Sequence, residues 1–180
     1  MKRFLILWCA GLMFASCTDL DLEDQTIKLI ELPGYVAFAN TGGTITPIER
    51  TVAETSTAVQ NLRIEVATGT LSDVTVTYSF SGNAAFGTDF TVTTPGGTAT
   101  AAGGTIVIKR NQTPAGTTDF DFVNLGIHAV ADGVDDGDKS LTITLESAAN
   151  ADGKTFAVGR GAPGSTIYLK SARVIFTDVD

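Results

Sequence analysis

The chain has little of what thiol and nitrogen-ligand metal chemistry requires. Its 180 residues include one histidine, two cysteines and one tryptophan. His-rich and Cys-rich metal sites are therefore excluded, and no disulfide framework can be built. Positive charge is also scarce, with 12 Lys+Arg against 20 Asp+Glu and a formal charge of −8. A field of that sign repels phosphate, so nucleic acid is excluded as a non-specific partner. Neither a Gly-x-Ser-x-Gly elbow nor a Walker loop occurs, and nothing in the sequence points to an enzyme. What is present is the composition of one folded domain: 43% hydrophobic residues and only 18% charged ones.

The amino-terminal residues read as an export signal. Lys2 and Arg3 precede an apolar run from Phe4 to Phe14, followed by the small residues Ala15 and Ser16 and then Cys17. The run is too short to span a bilayer as a helix. Phe14-Ala15-Ser16-Cys17 resembles the bacterial lipobox, in which the cysteine is lipidated and becomes the first residue. Residues 1–16 are thus expected to be a lipoprotein signal peptide, and 17–33 a lipidated cysteine with its tether. Residues 34–180 form the remaining domain. Removing the leader takes two bases and no acid, so the mature chain is more acidic still. Thr18-Asp19-Leu20-Asp21-Leu22-Glu23-Asp24 looks like the acidic surface-export signals of Gram-negative lipoproteins. The expected location is the outer membrane, facing outward, with the membrane as partner through the lipid.

Beyond Tyr35 the pattern is one of strands and turns. Leu62, Ile64 and Val66 alternate with polar residues, as do Val74, Val76, Tyr78 and Phe80. Ile106 and Ile108 make a shorter run, and Leu141, Ile143 and Leu145 another. Thr166–Leu169 and Ala172–Thr177 are the last strand candidates. Glycine-rich turns separate these runs, for example Pro95-Gly96-Gly97 and Ala102-Gly103-Gly104. Short strands at this spacing predict an all-β, antiparallel immunoglobulin-like β-sandwich of about seven to nine strands. Phe120 and Phe122 share one parity, whereas Val123, Leu125 and Ile127 take the other. That break predicts a β-bulge or kink near Phe122–Val123, or a strand that passes between the two sheets.

Five ordered segments resemble the Calx-beta family. They are Thr51-Val52-Ala53-Glu54 with Leu62–Val66, then Gly87-Thr88-Asp89-Phe90-Thr91, then Gly104–Ile108. The acidic loop Asp132–Asp138 with Leu141–Leu145 follows, and Val174–Asp180 closes the set. The resemblance implies a Calx-beta-like sandwich and a calcium site at one of its ends. The residues it assigns as metal ligands are Glu54, Asp89, Asp132, Asp136, Asp178 and Asp180. The loop supports this chemically, because Asp132, Asp135, Asp136 and Asp138 are oxygen donors suited to a hard cation. Their spacing excludes an EF-hand. A solvated Asp-Gly turn is the alternative. Two departures stand out: Gly133 and Gly137 interrupt the loop, and Lys139 stands where an acid is common.

His128 shares parity with Asn124 and Gly126, which predicts a surface histidine. The aromatic residues mostly fall in strand patterns and are expected in the core. The expected function is a non-catalytic cell-surface interaction or adhesion module, possessing calcium as a structural ligand and an unknown protein or glycan as partner. Two alternatives are a glycan-binding accessory lipoprotein of a saccharide-uptake system and a structural subunit of a surface assembly.

Overall fold

A computed structural model describes residues 33–40, 45–110, 120–161 and 166–178. The signal peptide, Cys17 and Asp180 lie outside the described residues, as does the tether apart from Pro33. Eleven strands follow one another: β1 Tyr35–Phe38, β2 Ile48–Ala53, β3 Gln60–Val66, β4 Val74–Gly82, β5 Phe90–Thr93 and β6 Ala99–Thr100. Then come β7 Gly103–Ile108, β8 Phe122–Ala129, β9 Lys139–Asn150, β10 Thr155–Val158 and β11 Ser171–Thr177.

One layer runs β5-β8-β3-β1, and the other runs β2-β11-β9-β4-β7-β6. β10 joins them, pairing with β1 in the first layer and with β9 in the second. Alternation decides which side chains meet between the layers. Leu62, Ile64 and Val66 of β3 and Leu125 and Ile127 of β8 face Val76, Ile106, Ile143 and Leu145 in one buried cluster.

The sandwich is mixed, not purely antiparallel. β1 pairs with β10 and β2 with β11 in parallel. Both pairs join the start of the domain to its end, and no hairpin links them to impose an antiparallel sense. The strand count exceeds the expected seven to nine because β5, β6 and β10 are too short to show an alternation of their own. Thr166–Leu169 is not a strand: only Tyr168 makes an isolated bridge, to Arg160.

The expected bulge at Phe122–Val123 is absent, since β8 pairs with β3 in unbroken register from Phe122 to Ile127. Phe120 lies before the strand and is exposed. Phe122 is half-buried on the outer face, with the Arg63 guanidinium 3.9 Å from its ring centre. The opposite parity of the two phenylalanines thus reflects an outward aromatic–cation pair. The bulge lies in β9 instead, where Thr77 pairs with Ser147 and Tyr78 with Leu145, leaving Glu146 extra. It turns both Leu145 and Ala148 inward, although their parities differ. Replacing Arg63 by Ala is expected to destabilise the fold by about 1 kcal/mol through loss of the stacked cation. An unchanged urea midpoint would contradict that role for the pair.

Candidate metal centre

The site begins with the parallel pair β2–β11. Thr177 pairs with Ala53 at the last rung, and the Glu54 amide donates to the Thr177 carbonyl at 3.1 Å. Glu54 and Asp178 therefore leave adjacent strands side by side. Asp89 precedes β5, where Phe90 pairs with Ala129 at the end of β8. The Val130 amide donates to the Asp89 carbonyl at 2.9 Å, which brings the start of the 130–138 loop alongside. Lys139 opens β9 opposite Phe176 and returns the loop to the same end. Five strand ends thus converge on one rim of the sandwich.

Hydrogen bonds fix the loop there. The Gly137 amide donates to Asp178 Oδ2 at 2.8 Å, and the Asp178 amide donates to Asp138 Oδ1 at 3.2 Å. The Val134 amide donates to Asp132 Oδ1 at 3.0 Å. Asp89 Oδ2 accepts from the Ala85 amide. Gly82, at φ +119°, ends β4 against the Ser140 carbonyl, where an added Cβ would stand only 2.1 Å away. This close approach lets Asn83 Oδ1 accept the Ser140 amide at 2.6 Å beside Lys139.

Glu54 is the unusual member. It is only 5% exposed, although its side chain is acidic. Burial pushes its carboxyl above the usual 4.5, and the charges of Asp132, Asp178, Asp136 and Asp89 push it further. Asp89 is likewise buried, Asp178 is half-buried, and Asp132 and Asp136 are exposed. Lys139 supplies the local positive charge, its Nζ lying 2.6 Å from Asp136 Oδ2. That hydrogen bond, together with the fields of Asp136, Asp89 and Asp132, raises its ammonium above the usual 10.5.

Five of the six assigned carboxylates are therefore brought to one end. They are grouped without being preassembled: among the described residues no three acidic side chains form a ready-made metal cage. Sequence reasoning missed the structural use of Asp138 as a clamp on Asp178, and it missed Lys139 as a resident counter-charge. Lys139 carried a signal, being a base set among aspartates; the Asp138 contact spans 40 residues and carried none.

Without divalent cations, Glu54 makes a specific pH signature. Its native pKa is raised, so between 4.5 and that higher value the native state holds a proton that the unfolded chain has lost. This contribution to stability is complete below 4.5 and is lost as pH rises through the native pKa. Glu54→Gln removes the dependence. In chelator the variant is expected to match or exceed the wild type in stability at neutral pH. A variant clearly less stable than wild type under those conditions would contradict the assignment.

The architecture has solved counterparts. An apo-form Calx CBD1 domain aligns with a TM-score of 0.51 at 19% identity, covering 83% of this chain and 100% of that one. This domain has the Calx-beta fold. The Calx CBD2 domain aligns at TM-score 0.48 and 14% identity, over 80% of this chain and 86% of that one. The calcium binding domain CBD12 of CALX1.1 aligns at 0.48 and 19%, over 82% of this chain and 44% of that one. No protein-family model matches the chain, and no curated protein sequence does. The Calx-beta-like domain described above places its acidic rim at the ends of β2, β8 and β11 and at the starts of β5 and β9.

Surface aromatics are few among the described residues. Phe120 and Tyr168 are the exposed ones, while Tyr78, Phe38, Phe90 and Phe176 are fully buried. His128 is half-buried on the outer face and hydrogen-bonds Thr93 Oγ1 at 2.8 Å.

Proposed function

We propose that this chain is an exported, lipid-anchored, non-catalytic binding module whose acidic rim takes up calcium. The observation that carries the calcium reading is Glu54, a buried acidic residue within the field of four aspartates, Asp132, Asp178, Asp136 and Asp89. Such a group is costly unless a cation compensates it. The donors are all carboxylate oxygens, which suits calcium. Glu54, Asp89, Asp132, Asp136 and Asp178 would hold the ion, with Asp180 as a further donor. Its charge would neutralise the rim and tie the 130–138 loop to β2 and β11. A rigid rim of loops is a suitable surface for an interaction or adhesion partner.

The Calx-beta fold supports the non-catalytic reading. Cys17, in its lipobox-like setting, supports the anchor, and the acidic segment that follows supports outward display. Thermal melting of the purified protein with calcium and with chelator tests the metal reading. A melting temperature that rises with calcium supports it, and identical melts overturn it.

A further inference from the structure

A cleft of about 290 Å³ lies at the opposite end of β4 from the acidic rim, between the turn after β5, strand β7 and the start of β8. Pro95, Gly96 and Val107 form its apolar wall, and Phe122, Asn124 and Lys109 bring the chemistry. The wall is fixed, because the Val107 amide donates to the Pro95 carbonyl at 3.1 Å. The ring is fixed too, by Arg63 stacked upon it, whose Nε lies 3.5 Å from Glu65. Asn124 is exposed, and its side-chain amide has no hydrogen-bond partner among the described residues.

Charge decides the class of ligand. Lys109 Nζ is held by Asp73 Oδ2 at 2.7 Å, and Arg63 is balanced by Glu65. Neither cation is left uncompensated, and the chain as a whole carries −8, so an anion gains nothing here. What remains is a rigid aromatic ring and aliphatic wall beside an amide that both donates and accepts, with spare ammonium donors. An apolar face edged by hydroxyl groups matches that arrangement. The volume is near the lower limit for ligand pockets, which suits one ring.

We propose that this cleft binds a single neutral pyranose unit, its C–H face against Phe122 and Val107 and its hydroxyls on Asn124 and Lys109. The proposal is independent of the calcium reading. Amide-resolved NMR of the purified protein, titrated with methyl glycosides of glucose, galactose, mannose and N-acetylglucosamine, tests it. At least one is expected to give saturable shifts centred on Gly96, Lys109 and Asn124. Asn124→Ala is expected to weaken that binding by about fivefold to tenfold, the factor one hydrogen bond provides, with an unchanged melting temperature. Lys109→Met, a second surface change, should weaken it as well. Absence of shifts with all four glycosides overturns the proposal. So does binding that neither variant alters, or tighter binding of glucuronate than of glucose.

Discussion

Phe90→Ala is expected to destabilise the domain by about 3–5 kcal/mol and to lower its melting temperature by about 10 °C or more. Phe90 is 1% exposed and is the centre of an aromatic group under the acidic rim. Its ring centre lies 5.3 Å from Phe80, 5.7 Å from Phe86 and 5.9 Å from Phe176. Truncation removes the apolar burial and all three ring contacts, and β5 is an edge strand of four residues with little else to hold it. The effect should extend to the site, because Asp89 precedes Phe90 directly and Asp178 lies two residues beyond Phe176. Calcium binding is thus expected to weaken along with stability. Phe90→Leu, which keeps most of the apolar volume, should lose less of both. Urea unfolding of the two variants reads the order, and equal losses would contradict the account of the aromatic group.

Calcium at one hundred times its dissociation constant is expected to raise wild-type stability by about 2.7 kcal/mol, which is roughly 5–10 °C of melting temperature. Glu54→Gln should lose most of that gain while folding normally, since it removes the buried negative charge and keeps the side chain's shape. Lys139→Gln should act in the opposite direction. The Lys139 ammonium beside Asp136 is a tethered cation that an incoming ion must displace or outcompete. Without it the apo protein should be less stable and the calcium-induced rise larger. Melting curves of the three proteins with calcium and with chelator separate these effects. A Lys139→Gln variant with a smaller calcium response than wild type would contradict the competing role.

The long strands were legible because alternation survives wherever one face is buried, as in Leu62–Val66 and Leu141–Leu145. The short strands were not, because four residues such as Phe90–Thr93 carry too few periods to separate from a turn. Parallel pairing of β2 with β11 was hidden for a different reason: it depends on contacts between residues over a hundred positions apart. The parity break at Phe122 was visible and its cause was not, since an outward aromatic held by Arg63 leaves the same trace as a bulge. The true bulge at Glu146 left none, as Ser147 and Ala149 read like a fading strand end. Of the site, the identities of the acids could be read, along with their common end through the family resemblance. The burial of Glu54 could not, because it follows from the register of Ala53 against Thr177.

The most direct measurement is a calorimetric titration of calcium into chelator-stripped protein at neutral pH, repeated on Glu54→Gln. Saturable binding by the wild type, lost or strongly weakened in the variant, is the predicted result. Absence of binding at millimolar calcium would contradict the account, as would equal affinities for the two proteins.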